Sequence, residues 1–195
     1  MKKSILILSL VIGFLLVLNL FAAEEKEIVK VEMKTNYGVI ELELYPDNAP
    51  VTVANFVKYA KDGFFDGLIF HRIISNFMIQ GGGFDQEGNQ VEPTYEPIRN
   101  EADNGLSNEI GTIAMARTNN PHSATSQFFI NVNDNKFLNH TNKQQGWGYC
   151  VFGKVTKGLD IVNLIKAVPT STNPKLGMQD WPVKPVIIEK ITIIE

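Results

Sequence analysis

Two runs of alternating apolar and charged residues, at 29–34 and 40–44, constrain the fold more than any other feature of this sequence. Their apolar members are Val29, Val31, Met33, Ile40, Leu42 and Leu44. A period of two places all of these side chains on one face of a strand. The segment between the runs contains Asn36 and Gly38, which favour a tight turn. The sequence therefore predicts a β-hairpin with one buried face.

Two helices are predicted in addition to this hairpin. The first begins at a cap formed by Asp47 or Asn48, continues to about Lys61 and ends at Gly63. The second covers about residues 159–168. Apolar residues recur along one side of each helix, namely Val53, Phe56, Val57 and Ala60 in the first and Ile161, Leu164, Ile165 and Val168 in the second. We expect those sides to face the core.

Short apolar segments predict the remaining strands. They lie at about residues 68–74, 112–116, 127–132, 150–155 and 186–194. Residues 83–111 are polar and glycine-rich without a clear period, and they predict long loops of the kind that often carry function. Many short strands with few helices favour a β-sandwich or a β-barrel, and the pattern alone does not choose between them.

Length, charge and cysteine content restrict the class of protein. A chain of 195 residues suits one domain with a sizeable core. The net charge is −3 and no basic stripe is present, so nucleic-acid binding is not expected. The single cysteine, Cys150, excludes an internal disulfide. Its apolar surroundings indicate a small buried side chain rather than a reactive thiol.

Residues 1–23 do not belong to the predicted domain, which covers residues 28–195. A short cationic start precedes an apolar run at residues 5–18, and two alanines then precede a charged segment. This layout is typical of a secretory signal peptide. The apolar run comes close to the lower limit for spanning a bilayer, about 17 residues, so an uncleaved membrane anchor is the alternative.

The segment FHRIISNFMIQGG, at residues 70–82, carries an unusual combination of side chains. Arg72 is followed by an aromatic ring, a thioether and an amide, from Phe77, Met78 and Gln80. On a regular strand, Arg72 shares a face with Phe70 and Ile74. A guanidinium on an apolar face needs a partner or an open pocket, so it either forms a structural salt bridge or donates to a substrate. The segment has no nucleophile, carboxylate pair or metal-ligand set.

Later segments complete the pattern. In TSQFFINV, at residues 125–132, Gln127 and Phe129 share one side of a predicted strand, and KFLN and GWGYCVFG follow at 136–139 and 146–153. Together with FHRII..FM.QGG, these motifs resemble the cyclophilins, the peptidyl-prolyl cis–trans isomerases that bind cyclosporin. TIAMART, QFFINV and QGWGYCVFG are most similar to the bacterial cyclophilins. The resemblance extends from about residue 28 to the C-terminus.

The resemblance implies a mostly β fold, a closed eight-stranded antiparallel β-barrel capped by two α-helices, with the site on an outer face. It also implies that Arg72 is the catalytic residue. The other matched positions contact the substrate. They are Phe77, Met78, Phe129 and Leu138 as walls of the proline pocket, Gln80 and Gln127 as groups that hold the substrate backbone and orient the arginine, and Ala116 and Arg117 along the strand against which the peptide lies.

Two substrate-contacting positions depart from the common eukaryotic pattern. Phe137 stands where those proteins carry a tryptophan, and Tyr149 where they carry a histidine. Because Phe137 lacks the indole N–H donor, we predict weakened cyclosporin binding with isomerase activity retained.

The activity that the resemblance implies is peptidyl-prolyl cis–trans isomerisation, assisting the folding of exported proteins. The expected location is the periplasm, or the membrane facing it if the N-terminal segment is not cleaved. Partners would be unfolded or partly folded proline-containing polypeptides, and we expect a monomer without metal or cofactor. The alternative is a non-catalytic proline-peptide binding module or chaperone on the same fold. Arg72 favours the enzyme, because binding alone does not need that cation.

Overall fold

The computed structural model describes residues 27–142 and 146–194. Two helices and ten strands lie in these ranges. In chain order they are β1 (Val29–Thr35), β2 (Gly38–Leu44), α1 (Pro50–Lys61), β3 (Phe70–Ile74), β4 (Met78–Gly81), β5 (Thr112–Met115), β6 (Phe128–Asn131), β7 (Val151–Lys157), α2 (Leu159–Lys166), β8 (Thr170–Ser171), β9 (Trp181–Pro182) and β10 (Ile188–Ile194), with a 3-10 turn at Lys136–Leu138.

The predicted N-terminal signal peptide or anchor lies outside the described residues. Within the described ranges, the helices are too short or too polar to cross a bilayer.

Eight strands form one antiparallel sheet in the order β10-β1-β2-β7-β5-β6-β4-β3. β8 and β9 form a separate pair. The predicted hairpin is confirmed, since Met33 lies opposite Ile40 and Val31 lies opposite Leu42 across β1 and β2. All four of these side chains are buried, as the alternating pattern requires.

Aromatic rings join α1 to the inner face of this sheet. The ring of Phe56 on α1 lies 5.5 Å from that of Phe128 on β6 and 5.4 Å from that of Phe152 on β7. All three side chains are at most 1% exposed. Burial of three aromatic side chains makes this contact a main source of stability and fixes α1 against the sheet.

The start of α1 is held by a side chain from a distant loop. The prediction that Asp47 or Asn48 caps this helix is wrong, because Ala49 occupies the cap position and its methyl group accepts no hydrogen bond. The carboxylate of Glu101 accepts instead from the backbone N–H groups of the second and third helical residues, at 3.1 and 2.9 Å. A carboxylate at this end of a helix also interacts favourably with the helix dipole.

The second helix is shorter than predicted, and one of its predicted core residues is exposed. α2 ends at Lys166, and its buried residues are Val162 and Ile165. Leu164, which we expected in the core, is 56% exposed. Ile165 is buried and Ile161 and Val168 pack against the core, so the predicted apolar side is confirmed at these positions and wrong at Leu164.

Cys150 is buried, as the sequence predicted. Burial raises the pKa of its thiol to about 12. The sulfur lies 3.5 Å from the hydroxyl of Thr52 on α1. Since the thiolate is the reactive form, the side chain acts as a small core residue.

The edge strands β3 and β10 meet only over a short stretch within the described residues. An isolated bridge joins Ile69 to Ile187. The N–H of Ile188 donates to the carbonyl of Leu68 at 2.8 Å, and the N–H of Phe70 to the carbonyl of Val186 at 2.9 Å. The fold is thus a curled eight-stranded antiparallel sheet with two helices, and complete closure into a barrel stays a prediction.

A β-bulge separates the core part of β3 from its outer part. Phe70 lies opposite Gly81 and Arg72 lies opposite Gln80, so β3 holds one more residue than β4 between these pairs. Phe70 is therefore in the main core, whereas Arg72 faces outwards. The prediction that Arg72 shares a face with Phe70 is wrong. It shares a face with Ile74, which packs in the outer apolar cluster.

Candidate active site

An open pocket of about 310 Å³ lies on the outer face of β3, β4, β5 and β6. Nine of the residues predicted for the site line it: Arg72, Phe77, Met78, Gln80, Ala116, Arg117, Phe129, Leu138 and Tyr149. The strands bring these residues together because β4 pairs with β6 and β6 pairs with β5. The other two predicted residues, Gln127 and Phe137, lie beside the pocket rather than in it.

The floor of the pocket is formed by apolar side chains that are almost fully buried. Met78 and Phe129 are only 2% and 4% exposed. They form an outer apolar cluster with Ala114 and Val151, separate from the main core. The ring of Phe129 contacts that of Tyr149 edge to face, with 5.8 Å between the ring centres. Such a floor suits a compact aliphatic ring and offers no group that could react with it.

Arg72 supplies a positive charge at the wall of this pocket. Its guanidinium carbon lies 5.9 Å from the centre of the Phe77 ring. Within the described residues, ion pairs join Lys34 to Glu189 and Lys157 to Glu41, and none joins a carboxylate to Arg72. The alternative of a structural salt bridge therefore has no support, and the guanidinium is available to a ligand in the pocket.

Gln80 links the pocket to a second groove. Its side-chain amide donates to the side-chain oxygen of Gln127 at 2.9 Å. Gln127 lines the adjacent groove, of about 250 Å³, which shares Gln80, Ala116 and Arg117 with the pocket. A side chain at Gly83 would collide with Gln127, because a β-carbon there would come within 2.5 Å of it. The last glycine of the QGGG segment thus leaves space for the glutamine pair.

Arg117 is fixed in place on the wall that the two cavities share. Its Nε donates to the carbonyl of Gly148 at 3.0 Å, and one Nη donates to the carbonyl of Thr118 at 2.9 Å. The guanidinium carbon lies 4.4 Å from the centre of the Tyr149 ring. Two hydrogen bonds and a cation–π contact hold this side chain in one orientation.

Phe137 is exposed at the rim. Its side chain is 75% exposed, and its ring stacks on that of Phe77 with 5.6 Å between centres. An aromatic ring in this position extends the apolar surface beyond the pocket without contributing a hydrogen-bond donor.

A network of asparagines behind the pocket was not predicted. Asn135 donates to the carbonyl of Phe77 at 2.8 Å and to the side-chain oxygen of Asn131 at 2.7 Å. Asn131 in turn donates to Asn108, whose backbone N–H donates to Asn139. Asn108, Asn131 and Asn135 are buried. The network connects Phe77 to the turn that carries Leu138, and the density of asparagines at 131–139 was the signal in the sequence.

His71, the neighbour of Arg72, points away from the pocket. It is 1% exposed and packs against the rings of Phe84 and Trp181. Burial, with a smaller contribution from the charge of Arg72, lowers its pKa from 6.5 to about 4. The imidazole is therefore neutral at physiological pH and takes no part in the chemistry of the pocket, which agrees with the structural role that its sequence position indicated.

Taken together, the fold and the pocket define an open site with an apolar floor and two arginines on its walls, beside a second groove. The sequence matches the family described as cyclophilin type peptidyl-prolyl cis-trans isomerase over residues 30–193. It is 58% identical over 165 residues to peptidyl-prolyl cis-trans isomerase cyp18 of Streptomyces antibioticus, covering 84% of this chain and 98% of that protein. It is 54% identical over 167 residues to peptidyl-prolyl cis-trans isomerase B of Escherichia coli K12, covering 85% and 99%.

A solved structure gives the same result for the fold. The cyclophilin type peptidyl-prolyl cis-trans isomerase of Cryptosporidium parvum superposes with a TM-score of 0.69 at 26% identity, covering 87% of this chain and 99% of that one. The same protein has also been solved in the presence of the dipeptide Ala-Pro. The chain belongs to the cyclophilin family of peptidyl-prolyl cis–trans isomerases. The resemblance in its motifs and the enzyme class that it implied are both confirmed.

Proposed function

We propose that this protein accelerates rotation about X–Pro bonds in exported polypeptides, with Arg72 as its catalytic residue. The observation that carries this assignment is the placement of Arg72, without a carboxylate partner within the described residues, at the wall of the pocket floored by Met78 and Phe129. A prolyl ring fits such a floor, and the guanidinium then lies beside the bond that rotates.

The chemistry of rotation explains why one donor suffices. A peptide bond resists rotation by about 18–20 kcal/mol, because the nitrogen shares its lone pair with the carbonyl group. Twisting returns the lone pair to the prolyl nitrogen. A donor directed at that nitrogen, or at the adjacent carbonyl, therefore binds the twisted state better than either planar state. No covalent bond is made or broken.

The required free energy is within reach of this site. X–Pro bonds exchange unaided in about 10–100 s, and a 10⁴-fold acceleration requires about 5.5 kcal/mol. Removal of one preorganised donor from an enzyme costs about 2.7–4 kcal/mol. Arg72 thus supplies about half to three-quarters of the effect. The Gln80–Gln127 pair grips the chain on one side of the bond and contributes to the remainder.

Replacement of Arg72 tests the assignment. Arg72→Ala should lower kcat/KM for a short X–Pro peptide by about 10²–10³-fold, corresponding to the loss of one charge-assisted donor. Rates are measured by exchange NMR, and peptide affinity is measured in parallel by titration calorimetry. Arg99→Ala is the matched control, because Arg99 is exposed and lies outside both cavities.

Three outcomes are distinguishable. Full activity in Arg72→Ala would show that the catalytic assignment is wrong. A wild-type protein that binds the peptide without accelerating exchange would favour the binding-module or chaperone alternative. For the enzyme, we also expect a rate that is flat in pH near neutrality, because arginine stays charged there and His71 stays neutral.

Export is proposed from the order of charged and apolar residues at 1–23, which is typical of a signal peptide. The mass of the protein recovered from the periplasm gives its N-terminus directly. An intact N-terminus in the membrane fraction would identify an anchor instead, and recovery of the intact chain from the cytoplasm would contradict export.

Closure of the sheet is proposed from the backbone hydrogen bonds between residues 67–70 and 186–188. Closure would leave the outer face, with its pocket, on a scaffold that cannot open at an edge. Slow amide exchange of Phe70 and Ile188, comparable with that of β1, is the expected measurement.

A further inference from the structure

The pocket and the adjacent groove carry charge of one sign. Among the residues that line either cavity, the charged ones are Arg72 and Arg117, and the others are apolar or neutral polar residues. The chain as a whole has a net charge of −3, so the sign of this surface is opposite to that of the chain as a whole. A positive groove with partly desolvated walls attracts negatively charged ligands more strongly than the exposed surface does.

Carboxylates do not neutralise this surface, since within the described residues no ion pair joins one to Arg72 or Arg117. Glu92 is exposed between two residues that line the groove but does not line it itself. Glu101 is bound to the first turn of α1. Both arginines of the cavities therefore retain an unbalanced charge for a ligand.

Arg117 has unused donors in a fixed position. A guanidinium has five N–H groups, and the bonds to Gly148 and Thr118 use two of them. Contact with the Tyr149 ring holds the plane of the guanidinium beside the shared wall. Since the side chain is already ordered, a hydrogen bond from a remaining N–H to a carboxylate costs little further side-chain entropy.

We propose that Arg117 makes the site selective for substrates that carry glutamate or aspartate within two residues of the isomerised proline. The inference rests on the proposed isomerase function. A proline in the pocket places its neighbours along the wall that both cavities share, since successive residues of an extended chain are about 3.3–3.6 Å apart. A carboxylate at one of those positions meets Arg117, whereas a lysine there is repelled.

Matched peptides test this selectivity. Three series of peptides are compared. The varied residue lies two residues before the proline in the first series, one residue before it in the second and one residue after it in the third. In each series this residue is Glu, Gln or Lys. In at least one series we expect kcat/KM to follow the order Glu, Gln, Lys, with Glu about five-fold faster than Gln, as for a favourable partly exposed ion pair. In 0.5 M NaCl the Glu/Gln ratio should fall towards one, because salt screens the attraction.

Variants assign the effect to Arg117. Within each variant, the ratio of the rates for the Glu and Gln peptides is independent of the fraction of active protein. The ratio should fall to about one in Arg117→Gln, and it should persist in Arg117→Lys, which keeps the charge, and in Arg99→Gln, which removes a cation outside both cavities. The absence of a Glu, Gln, Lys order in all three series, or an unchanged ratio in Arg117→Gln, overturns the proposal.

The Gln peptides, which carry no charge at the varied position, distinguish a failure of the selectivity proposal from a failure of the isomerase proposal. If the wild-type protein accelerates the Gln peptides without a charge preference, only the selectivity of Arg117 is refuted. If it accelerates none of the peptides, the isomerase proposal fails, and the affinities of the same peptides, measured by titration calorimetry, still decide whether Arg117 selects for a carboxylate.

Discussion

His71, the neighbour of Arg72, should make the stability of this protein sensitive to acid. His71 is 1% exposed between the rings of Phe84 and Trp181, and its Nδ1 has no hydrogen-bond partner among the residues that the structure describes. Protonation would add a positive charge at this buried position next to that of Arg72. For this reason the pKa of His71 falls from 6.5 to about 4 on folding, although its hydrogen bond to the Ile69 carbonyl opposes the shift.

The sign of the effect follows from proton binding. Above pH 6.5 the imidazole is neutral in both states, and His71 causes no loss of stability. Between pH 6.5 and about 4 the unfolded chain takes up a proton that the folded protein does not, so the free energy of unfolding falls as the pH falls. At about 1.4 kcal/mol per pKa unit, the loss is about 2 kcal/mol at pH 5 and about 3 kcal/mol near pH 4.

Urea unfolding followed by far-UV circular dichroism at pH 7 and pH 5 measures this loss. His71→Leu removes the ionisable group while keeping an apolar side chain of similar size. Wild type should lose about 2 kcal/mol more than this variant between the two pH values. His122→Gln, which changes an exposed histidine, should behave as wild type. Equal losses in wild type and His71→Leu would refute the reasoning, whatever the stability of the variant at pH 7.

Other parts of the structure give further expected outcomes. Glu101→Ala should lower the free energy of unfolding by about 1–2 kcal/mol in urea, because α1 loses its cap, whereas Asp103→Ala should not. Asn135→Ala should raise KM for an X–Pro peptide several-fold and lower the free energy of unfolding by about 1–3 kcal/mol, because it frees the turn that carries the pocket wall. Asn133→Ala, at an exposed site, should change neither quantity. Phe137→Trp should strengthen cyclosporin binding up to about ten-fold in calorimetry, since the indole adds one donor. Unchanged values in the first two variants, or cyclosporin affinity already high in wild type, would contradict these arguments.

Patterns within one segment predicted the fold well. The hairpin of β1 and β2 follows from alternation alone, and the division of Phe128 and Phe129 between the main core and the outer cluster follows from the period of a strand. The order of apolar and polar residues could not predict the bulge in β3, because the extra residue is defined only by the pairing with β4. It therefore put Arg72 on the face of Phe70.

Local sequence patterns did not predict the long-range contacts either. Glu101 reaches α1 from 49 residues further along the chain, and local sequence pointed instead to Asp47 or Asn48 as the cap. The pocket combines residues from three parts of the sequence. Only the similarity of their motifs to a known family predicted that these parts meet in one site. The asparagine network and the positive charge shared by the two cavities arise only in the folded structure, which brings distant parts of the sequence together.

The pairing of β1 with β10 also bears on when this protein can fold. Val31 lies opposite Ile193, so the two ends of the domain are neighbours in the sheet. During synthesis the first strand leaves the ribosome long before its partner exists, and the sheet remains incomplete until the last strand emerges. If the protein is exported as proposed, this delay would leave the sheet incomplete while the chain threads through a narrow membrane channel. The enzyme would then complete its own sheet only after release.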